Sequence, residues 1–175
     1  SIWHLAQNPE DLARLVEDPS LIPTAIEEFL RAYAPVTMAR LVKEDFEYKG
    51  CPMKKDDWIL LGFPAANRDP KFFDRADEVI IDRAENRHAA FGLGIHRCLG
   101  SNLARLEMQT ALEEFIAAFP KFELADPEGV TFSQGQVRAH ARCQSASWSA
   151  AKFPAGGERI GAHRRRALQV QIWRP

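Results

Sequence analysis

The stretch Phe91-Gly92-Leu93-Gly94-Ile95-His96-Arg97-Cys98-Leu99-Gly100 sets one cysteine among three glycines, directly ahead of a helical pattern. Written F-G-x-G-x-H-x-C-x-G, it fixes six positions. With each type present at a few per cent, chance yields such a window on the order of once in 10⁸, so the segment is not accidental. Gly92 and Gly94 admit positive φ and close backbone approach, which lets the loop lie against a planar ligand while Cys98 directs its sulfur at it. Beyond the loop, Leu99, Leu103, Leu106, Met108, Leu112, Phe115 and Phe119 recur at short helical spacings. That pattern predicts a buried helix whose N-terminus faces the sulfur. Free N–H groups and the helix dipole favour an anion at that end, so Cys98 is expected as a thiolate.

A thiolate held between glycines is the arrangement that ligates haem iron, where it pushes electron density onto the metal and favours O–O cleavage. The loop resembles the haem-binding segment of the cytochrome P-450 monooxygenases, in the form found in soluble bacterial members. Other segments agree in order. Glu28-Phe29-Leu30-Arg31 resembles the family's E-x-x-R helix motif, whose charges lie one turn apart and can pair. Ala66-Asn67-Arg68-Asp69-Pro70, Asp82-Arg83 and Asn86-Arg87-His88 resemble the irregular stretch that precedes the cysteine loop.

The resemblance implies a role for each matching residue. Cys98 is the axial iron ligand and the catalytic residue, and Phe91, Gly92, Gly94 and Gly100 shape the loop against the cofactor, haem b (iron protoporphyrin IX). His96 and Arg40 reach the haem propionates, which an arginine fork holds through charge-assisted hydrogen bonds. Glu28, Arg31 and Arg83 form a structural lock. Val36, Thr37 and Met38 lie over the haem as substrate contacts, and Phe132-Ser133-Gln134 forms a second contact loop. The implied partners are O2, an apolar small molecule and a ferredoxin or flavodoxin-like electron donor, with Arg97 and Arg105 as candidates for steering an acidic donor.

Composition permits such a protein without specifying it. The 175 residues are 46% hydrophobic with a formal net charge of −1, which gives no nucleic-acid footprint. There is no apolar run long enough to span a membrane and no signal-peptide pattern, so a cytoplasmic location is expected. Cys51, Cys98 and Cys143 lie far apart without a C-x-x-C pair, against a disulfide scaffold or zinc ribbon. His4, His88, His140 and His163 are read as structural or solvated residues, and Cys51 as a strand or turn residue.

The expected architecture is mainly α with small β-sheets, an incomplete, C-terminal haem-binding part of the cytochrome P-450 fold. Periodicity predicts helices from about Leu5 to Val16 and from Pro23 to Tyr33. Short strands follow between Ala39 and Leu61, separated by turn signals at Lys49-Gly50 and Lys54 to Asp57. Residues 63–90 read as loop with a turn or two of helix. The family resemblance covers residues 1–138 and implies that the helix delivering protons to bound oxygen is missing, so the chain is expected to be a fragment. Haem binding or sensing without turnover, or a product with no function, remain as alternatives.

From Ala139 the family's ending gives way to Ala139-His-Ala-Arg-Cys-Gln-Ser145 and a tail rich in Arg, Ala and Gly. Read two bases later, codons for this stretch can encode Ala-Arg-Ala-Leu-Pro-Val, the family's expected continuation. Residues 139–175 are therefore expected to be out of frame, disordered and without a selected fold, which leaves His163-Arg164-Arg165-Arg166 without meaning as a nucleic-acid signal. Resequencing across codons 135–145 is expected to reveal a one-base error; a clean read lacking the alternative frame contradicts it.

Overall fold

The computed structural model describes residues 1–124 and 126, together with the backbone of 130–134 and 139–143. Two short helices open the chain, α1 (Ile2–Gln7) and α2 (Pro9–Glu17). The single helix expected from Leu5 to Val16 is divided at Asn8, because Pro9 has no N–H with which to continue the first helix and is favoured at the start of a second. A 3-10 turn at Pro19–Leu21 follows, with Asp18 Oδ1 accepting from the Ser20 N–H at 3.0 Å. It leads into α3 (Ile22–Ala32).

Four short strands make two separate two-stranded antiparallel sheets. In one, β1 (Met38–Leu41) pairs with β4 (Trp58–Leu61), with Arg40 opposite Ile59. In the other, β2 (Phe46–Tyr48) pairs with β3 (Cys51–Met53). The Lys49-Gly50 turn between them takes φ of 50° and 80°, values that suit the right-handed twist of a two-residue hairpin. A single helical turn, α4 (Phe63–Ala66), and an irregular stretch lead to the cysteine loop and α5 (Ser101–Ala118). Beyond it β5 (Val130–Gln134) and β6 (Ala139–Cys143) pair antiparallel, Val130 opposite Cys143.

The core lies where α1, α2 and α3 meet the distal half of α5. Leu5, Leu12, Leu15, Ile22, Ala25, Ile26 and Phe29 pack with Ile81, Leu112 and Ile116. Burying each such side chain contributes roughly 1.5–3 kcal/mol, so this cluster fixes the helices about one another. Beside it His4 is buried, 2.8 Å from the Tyr33 hydroxyl through Nδ1 and 2.8 Å from Asp11 through Nε2. This gives His4 the structural place read for it.

Two expectations require correction. The helix after Cys98 buries its apolar face only in its second half, at Leu112 and Ile116, while Leu103 and Leu106 are exposed; the apolar spacing continues, but these two leucines lie on an open face among the described residues. The expected contact loop at Phe132-Ser133-Gln134 is part of strand β5. Strand β6, from Ala139 to Cys143, lies beyond the expected boundary at 138 and pairs with β5. Residues 144–175, including His163, lie outside the described residues.

The ordering of the irregular stretch rests on α3. Glu28 and Arg31 are both wholly buried, and Arg31 Nε and Nη2 donate to Glu28 Oε2 and Oε1 at 2.8 Å each. Breaking a buried pair strands a charge and costs about 3–5 kcal/mol. Glu28→Gln is accordingly expected to lower the unfolding free energy in urea by about that amount, whereas Glu114→Gln on exposed α5 surface stays within about 0.5 kcal/mol.

Candidate functional site

The site grows from two adjacent glutamates on α3. Glu28 faces the irregular stretch and accepts from Arg31, the Ile80 N–H (2.8 Å), Arg83 Nε (3.0 Å) and Asn86 Nδ2 (3.0 Å). The arginines extend this hold. Arg31 also donates to the carbonyls of Asn67, Ala76 and Glu78, at 2.8, 2.7 and 2.7 Å. Arg83 Nη1 donates to the Asp74 carbonyl at 2.6 Å. An otherwise unstructured run thus has its buried carbonyls satisfied by two guanidinium forks, and Glu28, Arg31 and Arg83 meet in one network.

Glu27 faces the other way, toward an open cleft of about 490 Å3 lined by His88, Phe91, Arg97 and Arg105 among others. Its carboxylate accepts from Arg105 Nε and Nη2 at 2.6 and 2.9 Å, and lies 3.0 Å from His88 Nε2. The Ala90 N–H donates to His88 Nδ1 at 3.2 Å, which requires that nitrogen to be unprotonated and puts the ring proton on Nε2. Burial holds His88 below its ordinary range, outweighing the pull of Glu27; the ring is neutral and donates to the carboxylate. This cluster was not legible in the sequence. Arg105 reads there as a free surface charge suited to steering a partner, but it is bound by Glu27, and Arg97 and Arg87 are the cleft's arginines without an ion pair among the described residues.

The cysteine loop follows directly. Gly92 and Gly94 take φ of 73° and 68°, positions strained for any other residue. The Cys98 N–H donates to the Phe91 carbonyl at 2.9 Å and the Ser101 N–H to the Cys98 carbonyl at 3.2 Å, closing the loop on both sides of the cysteine. Gly100 lies so close that a Cβ there would sit 3.8 Å from the Cys98 sulfur. Cys98 is exposed, as are His96 and Gly100. Leu93, Ile95 and Leu99 around it are 69%, 97% and 100% exposed.

The remaining predicted residues are spread more widely. Arg40, half-buried on β1, donates to the Ala39 carbonyl at 2.9 Å and has no acidic partner among the described residues. Val36 and Thr37 are half-buried and Met38 is exposed, just before and at the start of β1. Phe132 lies in β5, and its side chain is outside the described residues. Cys51 is an exposed free cysteine of β3. No cluster of metal-ligating side chains is present among the described residues, and no helix among them is long and apolar enough to cross a membrane.

With this geometry in place, comparison with known proteins defines the class. The cytochrome P450 family model matches residues 10–137, and the chain belongs to that family. It is 46% identical over 123 residues to the polyketide biosynthesis cytochrome P450 PksS of Bacillus subtilis, an alignment covering 69% of this chain and 30% of that protein. Cytochrome P450-terp of a Pseudomonas species is 44% identical, over 73% of this chain and 30% of its own length. Among solved structures, the tirandamycin C-bound P450 monooxygenase TamI matches with a TM-score of 0.76 at 36% identity, covering 80% of this chain and 36% of that one. P450BioI, solved with an acyl carrier protein bearing hexadec-9Z-enoic acid, matches with a TM-score of 0.74 at 38% identity, over 80% and 36%. The chain thus spans about a third of the length of the curated relatives it matches.

Family membership implies a haem cofactor, and the residues present fit one. An exposed sulfur donor stands among uncovered apolar side chains on a loop held open by two positive-φ glycines, as an apolar plane requires. Arg40 and His96 carry no carboxylate partner among the described residues, which leaves both for the acidic edge of such a plane.

The titrating groups of the cleft predict a pH profile. Burial pushes Glu27 and Glu28 up, but their hydrogen bonds to Arg105, and to Arg31, Ile80 and Arg83, outweigh it and hold both below 4.5. Stability from them is complete above 4.5 and is lost as pH falls through their depressed values. His88 adds to the loss below 6.5, where the unfolded chain takes up a proton that the folded ring does not. The urea midpoint is expected to be level near neutral pH and to fall steadily in acid, and Glu27→Gln to flatten part of the acid limb.

Proposed function

We propose that this chain is the C-terminal, haem-binding portion of a cytochrome P450 monooxygenase, residues 1–138 carrying the fold. The complete protein inserts one oxygen atom from O2 into an apolar small molecule. The observation that carries this reading is Cys98, an exposed thiol closed into its loop by hydrogen bonds on either side, in a segment whose Leu93, Ile95 and Leu99 side chains are also exposed.

Cys98 is the iron ligand of haem b, and the bound group supplies oxygen activation. Phe91, Gly92, Gly94 and Gly100 hold the loop in the shape that exposes the sulfur. Arg40 and His96 bind the propionates as charged and hydrogen-bonding partners. Glu28, Arg31 and Arg83 keep the stretch before the loop rigid, so that the sulfur is presented from a fixed frame. Val36, Thr37, Met38 and Phe132 contribute to the substrate wall. Electrons come from a ferredoxin or flavodoxin-like donor, drawn in by Arg87 and Arg97 rather than Arg105. The location is cytoplasmic, and residues 139–175 are a non-family, frameshifted tail.

Haem binding or sensing without turnover is the second reading, which needs only the exposed Cys98 loop. Turnover separates the two. The complete haem-loaded protein, supplied with ferredoxin, its reductase and ¹⁸O2 over a panel of apolar compounds, is expected to give products carrying a single ¹⁸O and to lose this activity in Cys98→Ser. Thiolate ligation without any labelled product supports the second reading and overturns the first.

A further inference from the structure

Phe91 is held by two residues, Arg105 and His88. Its ring centroid lies 4.8 Å from the guanidinium carbon of Arg105 and 6.4 Å from the ring of His88. The residue before it, Ala90, donates its N–H to His88 Nδ1 at 3.2 Å. Its own carbonyl accepts the Cys98 N–H at 2.9 Å. Arg105 is in turn anchored by a two-pronged grip on Glu27, at 2.6 and 2.9 Å, and by donation from Nη1 to the Ser101 carbonyl at 3.2 Å. One carboxylate on α3 therefore fixes both groups that fix Phe91, and Phe91 fixes the peptide at Cys98.

We propose that Glu27, His88 and Arg105 are positioning residues for Cys98, acting through Phe91 to hold the ligand loop and to keep a compensated cation beside it. This rests on the reading of Cys98 as the iron ligand. Two physical consequences follow. Removing the Glu27 charge frees the Arg105 fork and the His88 ring, so the Phe91 carbonyl loses the support that aligns it with the Cys98 N–H. It also leaves Arg105 as an uncompensated cation near the ligand, which favours the electron-richer state of a metal bound there. The lock around Glu28 is a separate network on another face of α3 and stays intact.

The test uses the full chain as wild type, Glu27→Gln and Arg105→Lys, the last retaining the charge while losing the two-pronged grip. Hydrogen exchange is read amide by amide in the haem-free protein, and the reduction potential is read in the haem-loaded protein. In Glu27→Gln, exchange at the Cys98 amide is expected to rise about five- to tenfold, the equivalent of one hydrogen bond, while the Ile80 amide on Glu28 keeps its protection. The potential is expected to move positive. In Arg105→Lys, Cys98 exchange rises, but the potential moves less than in Glu27→Gln. Unchanged exchange at Cys98 in both variants, or an equal rise at Ile80, overturns the proposal. The exchange measurement needs no cofactor, so a failure of Cys98 to ligate iron shows separately, as a wild-type spectrum without thiolate character.

Discussion

A carboxylate with no exposure to water organises the whole stretch between α3 and the cysteine loop. Glu28 receives five hydrogen bonds, two from Arg31 and one each from the Ile80 amide, Arg83 and Asn86. Burying one charge among two guanidinium groups is tolerable only when nearly every donor and acceptor is satisfied. Here the remaining donors are spent on backbone carbonyls of the irregular segment, at Asn67, Asp74, Ala76 and Glu78. A run of chain with no regular ladder of its own is given a substitute for one. The segment becomes rigid without becoming helix or strand, and it delivers Phe91 and the loop beyond it in a fixed place.

The two glutamates of α3 divide the work. Glu28 orders the approach to the loop, and Glu27 orders the loop's near edge through Arg105 and His88. Being consecutive on one helix, they point to different sides, which keeps the two networks separate. The cysteine then stands at the end of a chain of contacts in which each member is held by charge or by a backbone hydrogen bond. The surface left uncovered beside it is apolar at Leu93, Ile95 and Leu99, and that is the surface a large flat hydrophobic group needs.

Much of this was legible in the sequence because it is local. Cys98 and its glycines form one contiguous word, and E-x-x-R places Glu28 and Arg31 one turn apart, so spacing alone predicts that they can pair. Short strands separated by Lys49-Gly50 and by the Lys54 to Asp57 turn were readable from turn chemistry. What was not legible is what depends on partners remote in sequence. The pairing of Arg105 with Glu27 spans the whole irregular segment, and nothing at Arg105 itself distinguishes it from a solvated helix charge. The apolar spacing of Leu99, Leu103 and Leu106 reads as burial, but spacing reports only which residues share a face, not whether any element covers it. The break at Pro9 was open to reading from its missing N–H, and the amphipathic pattern running through it hid the break.

In the proposed function Cys98, presented by this frame, is the iron ligand. The most direct measurement is the visible spectrum of the purified chain after addition of haem, reduction and exposure to carbon monoxide. The account predicts a strongly red-shifted Soret band that is absent in Cys98→Ser. A spectrum matching free or histidine-bound haem, the same in wild type and variant, would contradict it.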